Sequence, residues 1–278
     1  ESLILAKDCN GHFYSPPWEF NNIPFWDYLQ GYQVKMSERR SLIIAGDPVN
    51  DDTSIPVRQG WSFAPYYPDQ PMEVEIAFEN IQDQLVMAKD ANGRFYLPEH
   101  NFNNMPRLRR GRAYQVRSNA DVELVWNVEG NEQLRQCGTG YSLPVFPYDK
   151  DTWATSSPCQ TTRQKRLLHF VRKDGTGSNM SILVTDLVGE GEIGAFTVSG
   201  ICVGATAFRN QDQVGLAVWG DDESTDVVDG LIEGEAFTLK LWNSTLNEET
   251  DLEIKSVLTG FTGLSGSGLV YEADGFAV

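Results

Sequence analysis

The chain has 278 residues, of which 41% are hydrophobic and 22% are charged; this composition excludes collagen, coiled coil and general disorder, and the length suggests roughly two domains. The formal net charge is −17, which argues against nucleic acid as the main partner because phosphate binding needs cationic side chains. No apolar stretch is long enough for a transmembrane helix, so we predict no membrane insertion. Most of the negative charge lies in residues 178–278, whose only basic side chains are Arg209, Lys240 and Lys255.

An internal duplication organises the first half of the chain. The stretch from residue 3 begins LILAKDCNGHFY, the stretch from residue 85 begins LVMAKDANGRFY, and the motifs FNN and YQV follow in both. Self-similarity at a fixed spacing is the sequence sign of repeated structural modules. We therefore predict a tandem β-repeat domain over 1–128, with copies at 1–58 and 60–128.

Each copy has the pattern of β structure. A short apolar run is followed by Asn-Gly, which predicts a tight hairpin because both residues tolerate positive φ. The FNN stretch indicates an ordered loop, and YQV begins a strand with alternating apolar and polar side chains. A final strand is predicted in each copy, over Ser41–Ala45 and Val122–Trp126.

The segment between the copies predicts a strand followed by a helix. The strand begins near Gly60 and ends at Pro65, and the sequence MEVEIAFENIQDQ from Met72 onward has apolar residues at helical spacing. The first copy has no such segment in front of it. Two interpretations stay open: either one strand edge of the first copy is exposed to pairing with another chain, or the two copies form one pseudo-symmetric domain.

Residues 129–165 are predicted to form a connector pinned by a disulfide between Cys137 and Cys159, which would contribute roughly 3 kcal/mol by the loop-entropy model. The other two cysteines, Cys9 and Cys202, would either bridge the two halves or stay as free thiols. Four cysteines allow three pairings, and the sequence does not choose between them.

The rest of the chain, 166–278, has short apolar runs separated by Gly, Asn or Asp. This spacing predicts an antiparallel β-sandwich of about eight strands. The fold class expected is thus all-β with one short helix: a duplicated small β-module domain followed by a sandwich. The predicted strands are Leu167–Val171, Met180–Val184, Glu192–Val198, Ile201–Phe208, Val214–Trp219, Ala236–Trp242, Leu252–Leu258 and Leu269–Tyr271.

The repeat motifs AKD-x-NG, FNN and YQV, together with GEIGAF, CVGA and VWGDD in the second half, resemble modules of large secreted or cell-surface proteins. Proteins of that kind are exported by bacterial type IX secretion systems. The resemblance implies an extracellular or cell-surface location and an architectural role. It supplies no catalytic residues.

The densest group of acidic residues lies between two predicted strands and contains Asp221, Asp222, Asp226 and Asp229. Calcium takes six to eight oxygen ligands, and a loop of this kind could supply several. A solvated acidic loop is the alternative. Calcium at this loop is the one cofactor that we consider.

Two further groups are candidates for binding. Trp18, Trp26 and Trp61 could stack on sugar rings or lie in a protein interface, and core packing is the alternative. Because the second copy has Arg107 and Leu108 where the first has Phe25 and Trp26, Trp26 is the better surface candidate. Four arginines in the second copy could contact an acidic protein surface, including that of another copy of the chain: Arg107, Arg109, Arg110 and Arg112.

Catalysis finds little support in the sequence, since the three histidines lie far apart and no nucleophile or metal motif is present. We therefore expect a non-catalytic extracellular structural or adhesive cell-surface protein that self-associates into a filament or surface assembly. The alternative is a carbohydrate-binding module of a secreted multidomain protein.

Overall fold

The computed structural model describes residues 2–38, 40–41, 46–128, 167–172, 175–222, 225–252 and 268–278. The described residues are mainly β, with one short α-helix, which confirms the predicted fold class. The chain divides into two compact units, residues 1–90 with 96–163 and residues 91–95 with 164–278. No helix in these ranges is long and apolar enough to cross a membrane.

The first repeat module is a four-stranded antiparallel sheet in the order β3-β2-β1-β4. A three-residue 3-10 turn, Pro16–Trp18, lies between the second and third strands. Among the described residues, β4 is the end strand of this sheet. The strands are β1 (Leu3–Lys7), β2 (Phe13–Ser15), β3 (Phe20–Asn21) and β4 (Gln33–Met36).

The second module repeats this sheet and adds a strand and a helix. Its sheet has the order β6-β10-β7-β8-β9, so β6 pairs with the strand that corresponds to β4. A separate pair, β5 with β11, contributes to the same core. The elements are β5 (Ile55–Val57), β6 (Gly60–Pro65), α1 (Val74–Ala77), β7 (Leu85–Lys89), β8 (Phe95–Leu97), β9 (Phe102–Asn103), β10 (Ala113–Ser118) and β11 (Val122–Leu124).

The two modules share their strand register. Ala6 lies opposite Val34 in the first module, and Ala88 lies opposite Val116 in the second. The other pairs of these strands correspond in the same way, with an irregularity at the same place in both. Glu19 and its counterpart Asn101 both adopt the left-handed conformation after the 3-10 turn. The duplication therefore preserves the backbone framework in detail.

The second unit contains two packed sheets, as predicted for a β-sandwich. One has the order β15-β12-β19 and the other β14-β13-β16-β17, with β18 pairing β16. Apolar side chains from both sheets form one core, among them Ile182, Ile193 and Leu216. The strands are β12 (Asn179–Thr185), β13 (Glu190–Thr197), β14 (Cys202–Arg209), β15 (Gln213–Trp219), β16 (Ala236–Asn243), β17 (Glu248–Asp251), β18 (Leu269–Val270) and β19 (Phe276–Ala277).

One predicted strand is wrong, because Leu167–Val171 is a loop. Its amide groups do not pair with a neighbouring strand. The N–H groups of Leu168, His169 and Phe170 donate instead to the buried carboxylate of Glu192. Apolar periodicity shows which side chains are buried but not which acceptor the backbone finds.

The cysteine predictions have different outcomes. Cys137 and Cys159 lie outside the described residues, as do the predicted connector and most of the predicted strands Ser41–Ala45 and Leu252–Leu258. Cys9 and Cys202 are free thiols. Burial raises the pKa of both thiols, which disfavours the reactive thiolate.

Candidate functional site

An exposed apolar surface distinguishes the first module. We call it the docking face and define it by Phe25, Trp26, Tyr28, Val34 and Met36, all of them large apolar side chains that are substantially exposed. The first three lie in the loop before β4, and the other two alternate along β4. Grouped exposed apolar side chains on a protein surface are a common mark of an interaction site.

Local hydrogen bonds hold the loop of the docking face in place. The Tyr32 hydroxyl accepts from the backbone N–H of Asp27 at 2.7 Å and from Nε2 of Gln30 at 3.0 Å. The Asp27 carboxylate accepts from the N–H of Leu29 at 2.9 Å. The Trp26 ring packs edge-on against Tyr32 with centroids 4.5 Å apart. The loop is therefore a defined platform for its aromatic side chains.

The two modules of this unit also contact each other beside the loop. The N–H of Gly31 donates to the carbonyl of Phe63 at 2.7 Å, and the Tyr67 hydroxyl donates to the carbonyl of Tyr28. A Cβ at position 31 would lie 2.2 Å from Cβ of Ala113, so only glycine fits there. The docking face thus has a fixed position relative to the second module.

Two of the corresponding positions of the second module are fully buried. Val34 is 50% exposed and its counterpart Val116 is 0% exposed; Trp26 is 60% exposed and its counterpart Leu108 is 0% exposed. Both buried residues belong to a core that also contains residues of β6 and α1. The cover formed by β6 and α1 therefore accounts for the difference in burial between two modules of the same register.

Charged pairs join the segment that carries this cover to the loop before β10. The guanidinium of Arg107 contacts the Glu73 carboxylate at 2.5 Å, and Arg110 pairs with Asp69. The carbonyl of Arg112 accepts from the N–H of Tyr66 at 2.9 Å, and the N–H of Arg109 donates to the Tyr114 hydroxyl. Arg107 and Arg110, both predicted to bind an acidic partner, thus have acidic partners within their own module.

The three tryptophans predicted to bind a ligand have different surroundings. Trp18 is exposed at the end of its 3-10 turn, and Trp26 is exposed on the docking face. Trp61 lies on β6, where Nζ of Lys89 is 4.8 Å and the guanidinium carbon of Arg117 is 5.8 Å from the ring centroid. No ring contact in the described residues joins the three.

The acidic loop is held by its own carboxylates. Oδ1 of Asp221 accepts from the N–H groups of Asp229 and Gly230, at 2.7 and 3.2 Å, and Oδ1 of Asp229 accepts from the N–H of Asp222 at 3.1 Å. Asp226 is exposed. In the part of the chain that the structure describes, no group of three His, Cys, Asp or Glu side chains is arranged for a metal ion. Calcium binding stays a prediction.

Sequence reasoning does not single out Val34 or Met36. Their alternation with polar residues predicts a half-buried strand and is equally present in β10. A position-by-position comparison of the copies gives a better signal, since it aligns Phe25 and Tyr28 with Arg107 and Arg110.

Comparison of the chain with family models, curated protein sequences and solved structures found no match. The resemblance to modules of type IX-secreted proteins therefore remains a prediction from the sequence motifs.

Proposed function

We propose that this protein is a non-catalytic structural or adhesive component of an extracellular assembly, and that it associates with other polypeptides through the docking face. The observation that carries the proposal is the exposure of Val34 and Trp26 at positions that are fully buried in the second module. Removing apolar surface of this kind from water is favourable, by about 25 cal/mol per Å² of surface buried. Copies of the chain are the simplest partners for a face that no described residue covers in the way that β6 and α1 cover the second module.

The geometry favours apolar association over the charge-driven association that the sequence suggested. Arg107 and Arg110 already contact Glu73 and Asp69, so they are less available to an acidic surface on another copy. The aromatic and aliphatic side chains of the docking face have no comparable cover among the described residues. Salt separates the two mechanisms, since it screens exposed charges and strengthens apolar contacts when it is kosmotropic.

Sedimentation velocity over a range of concentrations tests this function. We expect the wild-type chain to self-associate, with association retained or increased in sulfate. The double variant Trp26→Ser/Val34→Ser should shift the species toward monomer. The control Val188→Ser/Val198→Ser removes even more exposed apolar side chains from turns of the second unit and should leave association unchanged. Monomers alone at every concentration and salt would remove the proposal.

A second candidate function is glycan binding, favoured by the exposed rings of Trp18 and Trp26. Aromatic faces can stack on sugar rings with their apolar side. Retention on insoluble polysaccharides, compared between the wild type and Trp26→Ala, tests this candidate. Absence of retention on every polysaccharide would exclude it for the glycans used.

A further inference from the structure

Residues 167–171 lie on the outer face of the sandwich sheet that contains β13, β16 and β17, and we call them the strap. Ile193 of β13 is in the core, so the alternation of the strand places Glu192 on the opposite face. Glu192 lies opposite Trp242 of β16, and Trp242 lies opposite Glu249 of β17. These three side chains form a row across neighbouring strands, and the strap contacts each of them.

The carboxylate of Glu192 binds the backbone of the strap. Its oxygens accept from the N–H groups of Leu168, His169 and Phe170, the last two at 3.1 and 2.8 Å. Successive backbone amides directed at one anion select the path of the chain and not its side chains. Glu192 is only 2% exposed, so its charge depends on these donors for the hydrogen bonds that water would otherwise supply.

The imidazole of His169 occupies a first side-chain position on the sheet. Its ring stacks on the indole of Trp242 with centroids 4.8 Å apart and an interplanar angle of 3°. Nε2 of His169 contacts the Glu249 carboxylate at 3.0 Å. A flat ring with a polar edge therefore satisfies both the stacking surface and the carboxylate.

The ring of Phe170 occupies a second position, which a glycine leaves open. Phe170 is 6% exposed and packs edge-on against Phe196 with centroids 5.3 Å apart. A Cβ at Gly194 would lie 3.1 Å from the Phe170 ring and 2.7 Å from that of Phe196. The flanking Leu168 and Val171 are 78% and 87% exposed. The sheet thus recognises two adjacent rings of the strap and leaves its aliphatic side chains in solvent.

These contacts define a groove for a short segment of polypeptide. We call it the strap groove, and its residues are Glu192, Gly194, Phe196, Trp242 and Glu249. The strap is a loop and not a strand of the sheet, and its hydrogen-bond partners lie between 22 and 80 positions away in the chain. Recognition therefore uses no contact between chain neighbours, and an identical segment from another molecule would find the same partners.

We propose that the strap groove also binds the strap of a second copy of the chain, so that copies associate by exchanging identical segments. The inference rests on the proposed function of self-association and adds a route through the second unit, separate from the docking face. Exchange replaces each contact by an equal one. The competitor is the resident strap, whose effective concentration is about millimolar or higher, so exchange is favoured where copies are concentrated, as in a surface assembly.

Complementary variants of the full chain test the exchange. Both carry Trp26→Ser/Val34→Ser, which removes the docking face. One also carries His169→Ala/Phe170→Ala, which empties its groove of both rings. The other also carries Glu192→Gln, which places an amide NH₂ among the strap's own donors and so releases a native strap. In sedimentation velocity, we expect each variant alone to stay monomeric and their mixture to form a heterodimer that is at least about tenfold more stable than either homodimer.

A matched control mixture contains no native strap. In it, a chain with His169→Ala/Phe170→Ala/Glu192→Gln replaces the Glu192→Gln chain, and the mixture should stay monomeric. Gly194→Ala, which places a methyl group against the Phe170 ring, replaces Glu192→Gln if circular dichroism shows that the latter does not fold. Hydrogen exchange locates the contact, because the strap amides of the Glu192→Gln chain should exchange more slowly in the mixture than alone.

Two results would overturn the proposal: folded variants whose mixture associates no more than the control mixture, or association without slower exchange in the strap. The proposed function fails separately. Self-association of the wild type that depends on Trp26 and Val34, without complementation, would leave the docking face standing and remove segment exchange. Complementation by these variants, with a wild type whose association does not depend on Trp26 and Val34, would support exchange and remove the docking face.

Discussion

The two repeat modules share a backbone and differ in what covers it. The register, the irregularity in the pairs β1–β4 and β7–β10, and the left-handed residue after the 3-10 turn are the same in both. The second module has β6 and α1 over its sheet, and Val116 is fully buried. The first has no such cover in the described residues, and Val34 is half exposed. The comparison shows that one framework can have its apolar face covered in one module and exposed in the other.

The two modules differ in sequence at residues that face β6, α1 or the segment between them in the second module. Residues that build the framework are retained, such as the Asn-Gly turns and the FNN loops. Residues that face the cover change, with Phe25 and Tyr28 in the first module and Arg107 and Arg110 in the second. If the first module were simply solvated, polar side chains would be expected at these positions. Their apolar character is consistent with a partner that differs chemically from residues 60–81.

The largest expected effect comes from equivalent positions in the two modules. Leu108→Ala should lower the free energy of unfolding by about 2–5 kcal/mol, because it removes a fully buried side chain and leaves a cavity. Trp26→Ala, at the counterpart position, should lower it by less than about 1 kcal/mol because the ring is mostly exposed. Urea unfolding of both variants measures the difference. Equal losses for the two would show that Trp26 is buried in solution and that the modules do not differ in cover.

The sequence predicted the framework better than the cover. Asn-Gly and YQV fix the hairpin and the fourth strand by local chemistry, since a positive φ and a two-residue alternation are properties of the segment itself. The helix predicted from Met72 onward forms only Val74–Ala77 followed by the 3-10 turn Glu79–Ile81, because packing on the sheet rather than propensity determines its length.

The docking face was only partly predictable for the same reason. Trp26 was singled out because its counterpart is a leucine, but Val34 has a valine at the equivalent position. Identical residues in identical strands differ in burial because a separate segment covers one strand and not the other. β5 likewise escapes prediction, because Ile55–Val57 contains a proline and finds its partner β11 far along the chain.

The next largest effect on stability is expected from the ion pair between Arg107 and Glu73. Glu73→Lys should lower the free energy of unfolding by about 1 kcal/mol, since it replaces a partly exposed ion pair with two like charges beside each other. The comparable change in the first module, Phe25→Lys, should leave stability nearly unchanged because the Phe25 side chain is mostly exposed. Thermal or urea unfolding compares the two. The effect of Glu73→Lys should shrink in high salt, and a loss that salt does not alter would argue against an electrostatic cause.

A pH effect is expected at the first module's hairpin. Burial raises the pKa of Asp8, but hydrogen bonds from the His12 ring and from the N–H groups of Asn10 and His12 outweigh it, so that the pKa is lowered. A lowered folded-state pKa adds stability above the unfolded value of about 3.9, and this stability is lost as pH falls through the folded value. Asp8→Asn should therefore destabilise the chain at pH 6 and reduce its further loss of stability below about pH 4. Asp226→Asn, at an exposed carboxylate, is the control and should keep the wild-type pH profile.

The smallest expected difference tests whether the two backbones are equally strained. Glu19 and Asn101 occupy equivalent left-handed positions, with φ of 49° and 48°. Glycine adopts this conformation without a Cβ clash, so Glu19→Gly should raise the free energy of unfolding by about 0.4–1 kcal/mol. Asn101→Gly should raise it by less, because asparagine tolerates the left-handed region better than glutamate does. A gain at both positions would show that the first module holds the same turn geometry as the covered module before any partner binds, so that binding need not reorganise the 3-10 turn. A loss at Glu19 alone would mean that the first module's turn relaxes to another conformation in the absence of its cover.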